Sequence, residues 1–257
     1  MDFALDEIQQ ELKQQARAWL SERYPLERDW DSPQNDRWTE IGELGWLDVA
    51  EAGLGFLEEA LLLEEMGYAL YPGPYLAHTT GTGDLFGPGG TIETVDPGRP
   101  LHRLPTPADE TPRLRAAVAA EAVGIAQRVL ELGIQHASTR QQFGKPVGTY
   151  QAVAHQLADT YTDTELARSL TYWAAWTIGN DDQQAPLAAA AAKAFTTEAA
   201  VTACERSIQI HGGTGFTWEH PLHRYYKRAL WLHHLGTTPT QLRREIADTL
   251  LGVAVPT

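Results

Sequence analysis

Apolar residues recur at helical spacing in three segments of the first 80 residues. Residues 5–22 predict an amphipathic helix, because their apolar positions form one stripe on an otherwise polar cylinder. Residues 36–44 and 56–69 predict two more helices. The third has an acidic flank made of Glu58, Glu59, Glu64 and Glu65. Pro72 and Pro74 then stop the helical pattern, since proline fixes φ and removes a backbone donor.

Glycine and proline crowd the region that follows, between residues 79 and 112. Only residues 91–95 and 101–104 read as strands there, and two strands that short do not make an independent domain. We therefore predict a linker that contains at most a small hairpin.

Helical periodicity returns in four longer segments, residues 114–138, 150–178, 186–210 and 222–251, the last interrupted near Gly236 and Pro239. The third is nearly all alanine, which favours helix and close packing, so we place it at the centre. Long helices joined by short corners predict an antiparallel four-helix bundle. The chain is thus predicted to be mainly α, with an N-terminal helical domain (1–78), a linker (79–112) and a C-terminal bundle domain (113–257).

Charge and composition exclude several functions for this 257-residue chain. Its formal net charge of −14 argues against nucleic acid and anionic membranes as partners. The first residues are acidic and lack a secretion signal, and the single cysteine, Cys204, excludes an intrachain disulfide. We predict a cytoplasmic protein that does not enter a membrane. Its clustered histidines lack acidic or cysteine neighbours at ligand spacing, so we predict no metal site.

Two corners between helices combine polar side chains with bare backbone. The first is Arg140-Gln-Gln-Phe-Gly-Lys-Pro146, where a guanidinium suited to phosphate stands at a helix end beside Gln142 and Phe143. The second is Gln209-Ile-His-Gly-Gly-Thr-Gly215, where glycines let another molecule approach the backbone. Each corner alone is explained as well by an ordinary helix end, because a short glycine pattern is weak evidence.

Together the two corners resemble the acyl-CoA dehydrogenase family, flavoenzymes that desaturate acyl-CoA thioesters. The first motif continues through Tyr150 and Gln151, and the second through Trp218-Glu-His-Pro221 to Arg224-Tyr-Tyr-Lys-Arg-Ala229. The resemblance covers about residues 3–80 and 113–252. It implies that the C-terminal bundle contacts FAD held by a neighbouring subunit. The implied contact residues are Arg140, Gln142, Phe143, Gln151, Gln209, Gly212 and Gly213.

Two departures from that family concern the chemistry. The family's middle β-domain, which covers the flavin ring, is replaced here by about thirty Gly/Pro-rich residues. The stretch that matches the family's catalytic Glu-Gly-Thr reads Leu235-Gly-Thr237, and leucine does not remove a proton. The alternative base position falls at Leu114 to Arg115. Glu121 is the only acid at the boundary between the apolar and polar faces of the helix at residues 114–138. We interpret it as a solvated surface residue rather than a catalytic one.

The resemblance therefore implies a shortened subunit without its own catalytic base. It is similar to the smaller partner in heterotetrameric (α2β2) actinobacterial steroid side-chain acyl-CoA dehydrogenases. A larger subunit would then supply the base and the flavin-covering domain and bind most of the acyl-CoA. Two alternatives stay open: a self-sufficient homodimer with altered acyl-thioester chemistry that uses Glu121 or a histidine, and a flavin-free scaffold or regulatory protein.

Overall fold

The computed structural model describes residues 4–29, 36–86 and 92–252. Helices dominate this part of the chain, as predicted. They are α1 (Glu7–Arg23), α2 (Trp38–Glu43), α3 (Phe56–Ala69), α4 (Tyr75–Thr80), α5 (Pro112–Thr139), α6 (Gln151–Gly179), α7 (Ala185–His211), α8 (Leu222–His234) and α9 (Pro239–Leu251). The strands β1 (Gln141–Gln142) and β2 (Lys145–Pro146) pair as an antiparallel hairpin. None of the described helices combines the length and apolarity needed to cross a membrane.

Helices α5 to α8 form the predicted bundle. Side-chain contacts give the directions: Asp163 of α6 binds Arg206 of α7, whereas Thr171 lies beside Thr196, so these helices are antiparallel. Ser207 of α7 instead donates to the carbonyl of Val129, and His211 stacks on His136, so α5 and α7 run in the same direction. The alanine-rich α7 is central, as predicted, because it packs against α5, α6, α8 and α9.

Helix α3 crosses α5 with backbone against backbone. A Cβ atom added to Gly67 would lie closer than 3.0 Å to the Glu121 carbonyl, and one added to Gly124 would meet the Glu64 carbonyl equally closely. Only glycine permits such an approach. The same hydrophobic core includes Leu62 and Met66 of α3 and Val118 of α5. The N-terminal helices are therefore held directly on the bundle.

The acidic flank of α3 is buried in the structure. All four glutamates are at most 8% exposed, and cations from other helices reach Glu59, Glu64 and Glu65. Glu64 lies 2.7 Å from Lys13 Nζ and 3.1 Å from Arg168 Nε, and it accepts a hydrogen bond from Tyr172. Burial raises the pKa of Glu64, but Lys13 and Arg168 outweigh it, so the pKa lies below its usual value. This carboxylate joins α1 and α6 to α3.

The Gly/Pro-rich region holds little β structure in its described part. Leu101 forms isolated antiparallel bridges with Phe86 and Ile92, which is the remnant of the predicted hairpin, and residue 91 lies outside the described residues. Phe86 packs on Trp231 of α8, with ring centroids 5.7 Å apart. No β-domain is present among the described residues of this region, as predicted, and the linker lies on α8.

We predict that Gly124→Ala destabilises the protein by about 2 kcal/mol or more, because the added methyl group forces α3 and α5 apart. Chemical denaturation measures the change. Gly83→Ala is the matched control, since a Cβ there meets no atom within 4 Å, and we expect a change within about 0.5 kcal/mol. Equal effects of the two substitutions would contradict the close helix crossing.

Candidate functional site

The first corner is a hairpin that leaves the end of α5. Arg140 caps that helix, with its N–H bonded to the His136 carbonyl at 2.9 Å. The turn between β1 and β2 consists of Phe143 (φ 53°) and Gly144 (φ 80°), both in the left-handed region. Phe143 is 93% exposed at the tip. A bulky residue in a strained backbone conformation with its ring in solvent is available for stacking on a ligand.

The hairpin leads into the first turn of α6, which fixes its orientation. Tyr150 donates a hydrogen bond to the Gln142 carbonyl (3.1 Å), and Lys145 Nζ lies 4.3 Å from the Tyr150 ring centroid. Gln151 is the first residue of α6 and is exposed. Gln142 and Gln151 thus lie on the same short segment of chain as Arg140, and all three side chains are exposed.

The second corner ends α7. Gly212 has φ 62° and ψ −136°, a conformation that requires glycine, and it opens a 3-10 turn that runs to Phe216. A Cβ at Gly215 would lie 2.6 Å from the Ile208 carbonyl, so this glycine serves packing. Gly212 and Gly213 differ, because nothing lies within 4 Å of a Cβ there and both are exposed. Their backbone is open to another molecule.

Both corners lie at the same end of the bundle. The rings of His136, one turn before the first corner, and His211, at the second, have centroids 4.3 Å apart. All seven residues predicted to contact the cofactor are exposed: Arg140, Gln142, Phe143, Gln151, Gln209, Gly212 and Gly213. The arrangement offers one guanidinium, amide groups, an aromatic ring and bare backbone, which together suit a nucleotide with a pyrophosphate.

Three imidazole rings contact one another at this end of the bundle. His211 lies between His136 and His220, whose centroid is 4.6 Å away, and its Nδ1 donates to the Ser207 carbonyl at 2.8 Å. Burial lowers the pKa of His211 to about 4, and burial also lowers the pKa of both neighbours. The row is therefore uncharged at neutral pH. The described residues contain no cluster of histidine, cysteine and acidic side chains able to hold a metal ion.

Glu121 is not a surface residue, contrary to the expectation from its sequence. It is fully buried, and its Oε1 accepts hydrogen bonds from Arg228 (2.7 Å) and Arg99 (3.0 Å). Arg228 also binds Asp96. The group joins α5, α8 and the linker. A carboxylate that is fully buried and hydrogen-bonded to two guanidinium groups is a structural ion pair in this geometry.

Comparison with known proteins decides the family. Residues 110–251 match the acyl-CoA dehydrogenase C-terminal domain, and residues 6–91 match the acyl-CoA dehydrogenase N-terminal domain. The chain belongs to the acyl-CoA dehydrogenase family. Proteins of this family are FAD-dependent oxidoreductases. The predicted resemblance is confirmed.

Individual relatives add detail. The chain is 37% identical over 165 residues to the acyl-CoA dehydrogenase IpdE2 of Mycobacterium tuberculosis, a match that covers 60% of this chain and 49% of that protein. It therefore spans about half the length of that relative. Two solved structures share its fold. The ChsE4-ChsE5 complex from Mycobacterium tuberculosis has a TM-score of 0.79 at 20% identity over all of both chains. A variant of the Tcur3481-Tcur3483 steroid ACAD has a TM-score of 0.76 at 22% identity, covering 96% of this chain and 98% of that chain.

The turn where the acyl-CoA dehydrogenase motif expects a catalytic glutamate has a buried leucine. Leu235 is 4% exposed, and its carbonyl accepts a hydrogen bond from the Lys193 ammonium at 2.5 Å. The sequence reading missed a carboxylate beside it: Glu110 binds Lys193, Arg115 and the Thr237 N–H. Burial raises the pKa of Glu110, but Lys193 outweighs this and the pKa falls below its usual value. A carboxylate held by three donors at lowered pKa is a poor general base.

We predict that stability falls as the pH is lowered from about 6.5 to about 4. The unfolded chain binds a proton at His211 in that range while the folded protein does not, so protonation favours unfolding by about 3 kcal/mol in total. Chemical denaturation at several pH values measures this slope. His211→Asn keeps a donor for the Ser207 carbonyl and should reduce the slope, whereas the exposed His155→Gln should not. An unchanged slope in His211→Asn would contradict the assignment.

Proposed function

We propose that this chain is one subunit of a heteromeric FAD-dependent acyl-CoA dehydrogenase, and that it binds the ADP portion of FAD held by a larger partner subunit. The observation that carries the proposal is the contrast between the two ends of the site. The two corners are exposed and adjacent, whereas position 235 is a leucine and the carboxylate beside it, Glu110, binds Lys193 and has a lowered pKa. A chain with half of a cofactor site requires a second chain to complete it.

The residues of the two corners fit the ADP portion of FAD. Arg140 would pair with the pyrophosphate, since a planar guanidinium binds phosphate oxygens in pairs. The open backbone of Gly212 and Gly213 has room for the same group, because no atom lies within 4 Å of a Cβ at either position. Gln142, Gln151 and Gln209 would bond the ribose and adenine through their amides, and Phe143 offers a stacking face.

The remaining chemistry belongs to the partner in this proposal. FAD supplies the hydride acceptor for α,β-desaturation, in which a base removes the α-proton of the acyl-CoA and the β-hydrogen leaves as hydride. The described residues near Leu235 supply no such base, and Glu110 there has a lowered pKa. The described linker residues do not form the β-domain that covers a flavin ring. This chain would therefore orient the cofactor, and the partner would supply the base and bind most of the acyl-CoA.

The two structural neighbours suggest the class of assembly and of substrate. One is named as a complex of two proteins and the other as a steroid ACAD. Their likeness at 20% and 22% identity shows the fold. Their names motivate the proposal that this chain belongs to a heterotetramer that acts on a steroid side-chain CoA thioester.

The first alternative, a self-sufficient homodimer, requires a base within this chain. Glu121 was the sequence candidate, but it is fully buried and held by Arg99 and Arg228. Glu121 lies about 27 Å along α5 from Thr139, the last residue of that helix, given a rise of 1.5 Å per residue. Both observations favour the heteromer. The second alternative, a flavin-free scaffold, gives no reason for seven exposed cofactor-type residues at one end.

We predict that Arg140→Ala weakens FAD retention by the assembled complex roughly ten- to a hundredfold, because a charge-assisted hydrogen bond contributes about 1.5–3 kcal/mol. The flavin absorbance of the purified complex after dilution and filtration measures the loss. Arg244→Ala is the matched control, since Arg244 is exposed on α9, away from both corners. Equal flavin retention in both variants and the wild type would favour the flavin-free scaffold and contradict the proposed role of this chain in binding FAD.

A further inference from the structure

The imidazole of His136 lies between the two corners. His136 is in the last turn of α5, one helical turn before Arg140. Its ring centroid lies 4.3 Å from that of His211, the residue that directly precedes Gly212. His136 is half-buried, whereas Arg140 and Gly212 are exposed. The imidazole is therefore close to the guanidinium along its own helix and close to the open glycine backbone across the bundle.

His136 keeps its hydrogen-bonding groups available, unlike the other two imidazoles at this end of the bundle. His211 Nδ1 donates to the Ser207 carbonyl at 2.8 Å, and His220 Nδ1 accepts from the Leu222 N–H at 3.4 Å. No described residue forms a hydrogen bond with either ring nitrogen of His136, whose ring contact is with His211. A neutral imidazole has one N–H donor and one acceptor. Both remain available to a molecule that binds at the corners.

The groups around His136 are cationic or neutral. Arg140 faces it from the same helix, His211 from α7 and His220 from the turn before α8. Burial and repulsion from Arg140 lower the pKa of His136, and no carboxylate of the described residues acts on this pKa in the opposite direction. The protein without a ligand therefore disfavours the charged form of the imidazole. An anion bound between the corners would favour it.

We propose that His136 binds the pyrophosphate of FAD together with Arg140, and that it takes up a proton from solvent as the cofactor binds. This role rests on the proposed function and adds to it a dependence of cofactor affinity on pH. A protonated imidazole donates a charge-assisted hydrogen bond to a phosphate oxygen, which is stronger than the bond from a neutral ring. His211 keeps the ring of His136 in place, because its own ring is buried and bonded to Ser207.

Proton uptake makes the affinity for FAD depend on pH in one direction. A negative group beside an imidazole favours the protonated form and raises its pKa. The complex with FAD therefore holds a proton on His136 at a pH where the protein without FAD does not. Affinity for FAD then increases as the pH falls from about 8 to about 6. The pyrophosphate of FAD keeps its charge over this range, so its own titration does not contribute to the change.

Calorimetric titration of FAD into the flavin-depleted complex of this chain with its larger partner tests the role of His136. In the wild type we expect FAD to bind about three- to tenfold more tightly at about pH 6 than at about pH 8. Titrations in two buffers that differ in ionisation enthalpy should show net proton uptake. His136→Gln keeps a donor but takes up no proton, so it should lose both the pH dependence and the uptake. His234→Gln is the matched control, since His234 is exposed at the far end of α8, and it should behave like the wild type.

His136→Phe separates binding from packing. It keeps a ring that packs on His211 but has no donor, so we expect it to weaken FAD binding about tenfold. Wild-type affinity in His136→Phe, or wild-type pH dependence in His136→Gln, would overturn the role of His136. Either result together with weakened binding in Arg140→Ala would leave the proposed function in place. Binding of FAD that none of these variants changes, Arg140→Ala included, would contradict the proposed function as well. Chemical denaturation checks that each variant is folded.

Discussion

The contact between α3 and α5 at Gly67 and Gly124 is the constraint on which the rest of the structure depends. Two helices whose backbones touch leave no space for side chains at the crossing, so the residues beside it are forced into the core. Glu121, whose carbonyl faces Gly67, is one of them. Its burial in turn requires cations, and Arg99 and Arg228 provide them. One close packing contact therefore draws the linker and α8 to the same point.

The same geometry places the buried ion cluster away from the two corners. The ion cluster around Glu121 lies at the helix crossing, whereas the corners lie at the C-terminal ends of α5 and α7. At the corner end the side chains are exposed and the glycine backbone is open. Such a surface is suitable for binding another molecule. The buried ion cluster and the exposed corners are thus separate parts of the chain.

Periodicity was enough to predict the longer helices, and α3 has the bounds expected from its pattern. The six-residue α4 and the two-residue strands of the hairpin were missed, because elements that short carry too little periodicity. The corners were identified through the length and order of their motifs. The burial of Glu64 and Glu110 was not predicted, because it depends on partners that are far away in sequence. Glu64 binds Arg168 of another helix, and Glu110 accepts a hydrogen bond from the Thr237 N–H. One signal was present for Glu121, since it is a lone acid in an otherwise apolar run from Ala116 to Ala126.

The flavin content of this chain with and without its larger partner tests the central claim most directly. Because this chain would complete a site built on the partner, purified alone it should carry no stoichiometric FAD. The reconstituted complex should carry one FAD for each pair of subunits and should turn over an acyl-CoA. Stoichiometric FAD on this chain alone, together with turnover of an acyl-CoA in the absence of any partner, would contradict the account.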